Sequence, residues 1–253
     1  NVPQTRTPHA HFYTEVRYKG AKSVVICPDY SEASKFADLW ITVKQGTDEA
    51  VAMAMGHVVL TEFHRDRKVP YFEDYIRRYT DMPLLVRLVA KDGRYVPERL
   101  LRASDFADNL GQENNPDWKT VGVDAASGEF VVPAGSIGFR WGEEGKWNLE
   151  EKDAAGADAK LQVGLKDAYD DVVEVLFPYF ANTAANGFAS TDQPDTLMRR
   201  IPAKRVALKD GEALVASVYD LFLANYGVDQ GFGGEHIPKS YDDLEPYTPA
   251  WAE

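Results

Sequence analysis

The chain has 253 residues, 44% hydrophobic and 27% charged, with a formal net charge of −12. That length buries a full core as one large domain or two small ones, and the negative balance argues against nucleic acid as a partner, because phosphate contacts need clustered lysine and arginine. The single cysteine, Cys27, excludes an internal disulfide and any cysteine-ligated zinc or iron–sulfur site built from this chain alone.

No apolar run approaches the ~18 residues that would suggest a membrane span, and no basic–apolar signal segment opens the chain. It starts at Asn1 without a methionine and ends in YTPAWAE, where Thr248 suits a helix N-cap and Pro249 a first helical position. These ends are those expected of a piece of a longer protein.

In chain order, Thr7 and Pro8 open a helix to about Arg17, which Lys19 and Gly20 close. Ser23 to Ile26 is a β-branched run suited to a buried parallel strand. SEASKFADL reads as one short helix, and Leu39 to Val43 as a second strand. From Thr47, TDEAVAMAMGHVVLTEFH gives a strong helix with Asp48 and Glu49 at the positive end of its dipole. Helices alternating with short apolar strands predict an α/β fold: a Rossmann-like parallel sheet with covering helices.

The pattern changes after Arg67. PYFEDYIRRYTDMP is one more helix, and the strand pairs that follow turn at Asp92–Gly93, Ser127–Gly128 and Asp210–Gly211. EEKDAAGADAKLQ and ANTAANGFASTDQPD read as exposed loops, and VYDLFLANYG as a helix capped by Gly227. The division expected is residues 1–67 as one half of an α/β nucleotide-binding domain, 68–227 as a β-rich α+β insertion, and 228–253 as a connector into a helix.

Several motif-like stretches carry no chemistry. HRD at His64–Asp66 lacks the asparagine that a kinase catalytic loop carries after its aspartate. GFGG at Gly231–Gly234 lacks the dinucleotide spacing and follows a helix. His9 with His11, and His57 with His64, are spaced wrongly to share a metal. No metal ligand and no catalytic residue is assigned to this chain.

The candidate site is the edge where both strands end. One delivers Cys27, Pro28, Asp29 and Tyr30; the other delivers Lys44, Gln45, Gly46, Thr47 and Asp48. In open α/β sheets ligands bind beyond the carboxyl ends of strands. Gly46 lets backbone approach a ligand, and a helix start receives an anion. A carboxylate there accepts from ribose hydroxyls or from the N1–H and N2–H of guanine. Residue by residue, Thr47 is equally a good N-cap and Asp29 an ordinary turn former, so the spacing alone supports a purine-nucleotide crevice and goes no further.

The stretches NVPQTRTPHAHFYTEVRYKGAKSVVICPDY and DLWITVKQGTDEAVAMAMGHV, with YIRRYTDMP, LGQENNPDWKTV, GSIGFRWGEEGKWNLE and SYDDLEPYTPAWAE, resemble the catalytic alpha subunits of membrane-bound respiratory nitrate reductases, in the dimethyl-sulfoxide-reductase family of molybdoenzymes. The likeness covers nearly the whole chain. It implies a Mo-bis-molybdopterin guanine dinucleotide cofactor, with Asn1, Cys27–Tyr30, Gly46, Thr47 and Asp48 on its pterin or nucleotide part. It also implies a 4Fe-4S cluster whose ligands lie outside this chain. Nitrate would be reduced by oxygen-atom transfer with quinol-derived electrons, beside an iron–sulfur beta subunit and a membrane gamma subunit, peripheral on the cytoplasmic side of the cell membrane. The isolated chain would be inactive. Selenate, chlorate or perchlorate reductases share the same cradle, and a non-catalytic nucleotide-binding or interaction module is the alternative of a different class.

Overall fold

The computed structural model describes residues 7–46, 48–134, 151–153, 155–179 and 195–239. Two compact units form, one from the described residues up to Met55 and one from Gly56–Lys239.

In the first unit, α1 (His9–Tyr18) is followed by β1 (Val24–Ile26), the short α2 (Glu32–Lys35), β2 (Leu39–Ile41) and the beginning of α3 (Asp48–Val59). α1 ends as the sequence indicates. Gly20 takes φ +91, its N–H donates to the Arg17 carbonyl and that of Ala21 to Val16, the paired bonds that satisfy a helix's last carbonyls. β1 and β2 pair in parallel, Val24 opposite Leu39 and Ile26 opposite Ile41. Val43 and Val51 are buried together with Ile41 beside them, so the chain leaving β2 packs on α3. α2 is a single turn, shorter than the SEASKFADL helix expected, because the Phe36 and Ala37 N–H groups close on Ala33 and Ser34 and the chain turns out into β2.

The mixed helix and strand content agrees with an α/β class, but the parallel sheet has two strands among the described residues, and the largest sheet is a closed barrel. That barrel was not foreseen; hairpins were.

In the second unit a π-helical stretch, Leu60–Asp66, follows α3 directly and α4 spans Pro70–Tyr79. The barrel runs in the order β3 (Leu85–Lys91), β4 (Arg94–Leu100), β7 (Asp171–Tyr179), β8 (Asp195–Leu208) and β9 (Gly211–Ser217). A small pair, β5 (Gly122–Val123) and β6 (Phe130–Val131), lies between β4 and β7 in the chain, and α5 (Val218–Asn225) follows the barrel.

The Asp92–Gly93 turn forms as expected, with φ +51 and +79, the left-handed pair that suits a two-residue hairpin. The β8–β9 turn is Lys209–Asp210, one residue earlier than the spacing suggested, because Gly211 already pairs with Leu208. Leu85 and Val86 enter different hydrophobic clusters, as do Val215 and Ala216, so both surfaces of the barrel wall are packed. α5 adds Leu221 and Ala224 to the second cluster, and its end repeats the α1 device: Gly227, at φ +71, donates to Ala224 while Val228 donates to Leu223.

Candidate functional site

The parallel register places the ends of β1 and β2 level with each other. The Cys27 N–H donates to the Ile41 carbonyl at 3.2 Å, so the last backbone bond of the pair joins the residue that opens the first loop to the last residue of the second strand. Cys27, Pro28, Asp29 and Tyr30 therefore leave from the same edge as the segment leading to Gly46 and Asp48. Asn1 and Thr47 lie outside the described residues.

The first loop is held internally. The Ser31 N–H donates to the Asp29 carbonyl at 2.9 Å, and the Trp40 Nε1–H reaches across from β2 to the Cys27 carbonyl at 3.1 Å. Trp40 meets Tyr30 edge to face, with ring centroids 5.1 Å apart. Cys27 Sγ donates to the Asp29 carbonyl at 3.0 Å and lies 3.2 Å from Ser34 Oγ. The Ser34 contact is the main reason that the thiol sits below its ordinary pKa, opposed by desolvation, with smaller lowering by Trp40, Ser31 and the Asp29 main chain. These bonds fix the backbone of Asp29 and leave its carboxylate exposed, without a hydrogen-bond partner among the described residues. Gly46 has φ +78, and a Cβ there would meet nothing within 4 Å, so open space adjoins its backbone. Asp48 begins α3 and, with Glu49, lies in its first turn.

This donor and acceptor set fits the sugar and base end of a nucleotide: an exposed carboxylate on a stiffened loop, an open glycine backbone and a helix start on one edge. Among the described residues, no three histidine, cysteine or acidic side chains converge as a metal-holding group. No described helix is long and apolar enough to cross a membrane.

Residues 1–239 match the molybdopterin oxidoreductase family. The chain belongs to that family. The respiratory nitrate reductase 1 alpha chain of Escherichia coli K12 is 56% identical over 255 aligned residues, covering all of this chain and 20% of that protein. The nitrate reductase alpha chain of Bacillus subtilis 168 is 43% identical, again across the whole chain and 20% of its relative. The dimethylsulfide dehydrogenase alpha subunit of Rhodovulum sulfidophilum is 34% identical over 54% of the chain. This molybdopterin oxidoreductase chain thus spans about a fifth of the length of the nitrate reductase relatives it matches.

The second unit of this molybdopterin oxidoreductase chain holds three buried polar groups to which sequence reasoning gave no role. His57 is buried, with its Nδ1–H donating to the Tyr226 carbonyl at 2.8 Å. Arg199, 2% exposed, donates to the carbonyls of Ala224, Asn225 (3.0 Å), Glu235 (3.3 Å) and His236 (3.1 Å), and so closes the end of α5. Asp220 accepts from the Leu165 N–H at 2.8 Å, the Ser217 hydroxyl at 2.6 Å and the Gln230 amide at 3.1 Å. Burial pushes its carboxyl above the ordinary range against those three bonds. The Ser217-x-x-Asp220 spacing was a readable sign of this last group, since serine three residues before an acid marks a helix start. Each of the three secures the framework around α5.

Proposed function

We propose that this chain is part of the catalytic subunit of a respiratory nitrate reductase, and that its β1–β2 edge supplies one side of the cradle for a guanine nucleotide arm of a Mo-bis-molybdopterin guanine dinucleotide. The observation that carries the cradle is the level ending of two parallel strands, tied by the Cys27–Ile41 backbone bond. The identity of 56% across the whole chain to a nitrate reductase alpha chain, against 34% across about half of it to a dimethylsulfide dehydrogenase, supports nitrate over other family substrates.

In this reading Asp29 accepts from ribose or guanine, Tyr30 and Pro28 bound the pocket, and the Cys27 main chain fixes the loop. Gly46, Thr47 and Asp48 admit the nucleotide against the start of α3, and Asn1 belongs to a loop that touches phosphate or pterin. When bound, the molybdenum–pterin group supplies the oxygen-atom-transfer chemistry that converts nitrate to nitrite with quinol-derived electrons. The 4Fe-4S ligands lie on other parts of the subunit, and the iron–sulfur beta and membrane gamma subunits deliver the electrons on the cytoplasmic face of the membrane. The parallel pair is one portion of a larger Rossmann-like sheet, with residues 1–67 serving the nucleotide arm, 68–227 forming the inserted region and 228–253 connecting onward.

The test is the double substitution Asp29→Ala with Asp48→Ala in the whole enzyme, followed by assay of bound guanine nucleotide and molybdenum per folded subunit. Loss of both is expected; unchanged content would overturn the cradle.

A further inference from the structure

Four cations from separate elements face one cavity of about 480 Å³ in the second unit: Arg87 of β3, Arg99 of β4, Arg102 in the segment after it, and Lys209 of the β8–β9 turn. The same wall holds Asp105, Asp117 and Asp210. Two of these carboxylates are already engaged. Asp105 takes both Arg99 nitrogens at 2.6 and 2.8 Å, and Asp210 takes Arg87 at 2.8 Å. Arg102 and Lys209 are different. Each is anchored by a main-chain carbonyl, Arg102 by that of Asp117 and Lys209 by that of Ser104 at 2.5 Å, and neither forms an ion pair with another described residue. A guanidinium has five N–H donors and an ammonium three, so most donors of both groups remain available after these single bonds.

The geometry points to a binding site here for a small oxyanion of phosphate or sulfate type, held by Arg102 and Lys209. The carbonyl anchors orient both cations without neutralising them. The Arg99–Asp105 pair stiffens the wall, because Asp105 also accepts the Arg102 N–H at 2.9 Å and so ties both arginines to one carboxylate. A planar guanidinium presents two parallel donors to two oxygens of such an anion, and the ammonium adds a point charge beside it. On a chain of net charge −12, this cavity is lined by four cations against three carboxylates, of which Asp117 is the one with no cation partner among the described residues. The site is independent of the nucleotide edge and of the reaction proposed above.

The experiment titrates the ¹⁵N-labelled 253-residue chain with inorganic phosphate, and separately with sulfate, at ionic strength held constant with chloride. The backbone amides of Ser104, Asp105 and Lys209 are followed. Saturable shifts in the range of ~1 mM are expected for both anions. The combined Arg102→Gln, Lys209→Met variant should bind at least about tenfold more weakly. Arg205→Gln, whose guanidinium pairs with Asp171 and Glu212, should bind as the parent does. If the combined variant misfolds, Lys209→Gln alone should still weaken binding. Shifts that rise linearly without saturating, that chloride reproduces, or that persist unchanged in the folded variants would overturn the site.

Discussion

His57 donates from Nδ1 to the carbonyl of Tyr226, the residue that ends α5, and the ring of the same tyrosine lies where a Cβ on Gly56 would have to sit. One aromatic residue is therefore gripped at its main chain and its ring by two neighbours in sequence. The carbonyl partner fixes the histidine as the Nδ1–H tautomer, and the Thr61 hydroxyl lies 3.4 Å from Nε2.

This arrangement sets a pH dependence. Burial lowers the His57 pKa below 6.5, opposed by the Tyr226 carbonyl and reinforced by the charges of Arg65 and Arg199; burial lowers that of His64 as well. The unfolded chain takes up a proton at about 6.5, where the folded chain does not. Stability from these groups is complete above that pH and declines as pH falls toward their folded values. Asp220 has the opposite sign: its raised folded pKa gives a contribution present below 3.8 and lost as pH rises through the folded value. His57→Gln removes the His57 part and leaves those of His64 and Asp220. Urea midpoints at pH 7 and pH 5 should differ less in this variant than in the parent, and equal differences would refute the assignment.

Gly234 lies against β8, bridged to Arg199, with φ +150. An added Cβ would come within 2.7 Å of the Arg199 Cα and 3.0 Å of the Met198 carbonyl oxygen, backbone atoms that cannot rotate away. Gly234→Ala should cost about 1–3 kcal/mol from crowding and ~1–2 kcal/mol more from backbone strain. Gly231, at φ +100 with nothing within 4 Å, carries the conformational cost without the clash. Chemical denaturation of both alanine variants should show the larger loss at Gly234; equal losses would mean that the close approach contributes nothing.

Gly46 separates folding from ligand approach. Its φ of +78 gives an alanine there a strain of roughly 1–2 kcal/mol, and the surroundings are open. Gly20, at φ +91 and equally open, bears the same strain away from the proposed crevice. In the whole enzyme, Gly46→Ala should lower guanine nucleotide content more than Gly20→Ala does, at similar loss of stability. Matching cofactor content in the two variants would argue that Gly46 serves the turn alone.

The parallel pair was legible because SVVI and LWI are short apolar runs separated by a helix-forming segment, and both helix ends at Gly20 and Gly227 were legible because left-handed closure favours glycine. The barrel was not legible. Its closure depends on β4 meeting β7 in parallel, Tyr95 opposite Val175, a pairing across a long intervening sequence that no local pattern encodes. β7 itself did carry a signal, since Val173, Val175 and Phe177 alternate and are all buried, but Pro178 and the acids at Asp170, Asp171 and Glu174 masked the period. At the candidate site, residue types and order were readable, whereas the Trp40 to Cys27 bond and the Tyr30–Trp40 contact depend on the register of one strand against the other.

β1 and β2 have a further consequence. Val24, Ile26 and Leu39 are 55%, 42% and 53% exposed, and among the described residues each strand pairs on one side only. Apolar segments with open hydrogen-bonding rims recruit strands from neighbouring molecules. Produced apart from a polypeptide of its relatives' full length, the chain would be drawn toward self-association here, with Lys22 and Pro28 at either end of β1 as its built-in gatekeepers.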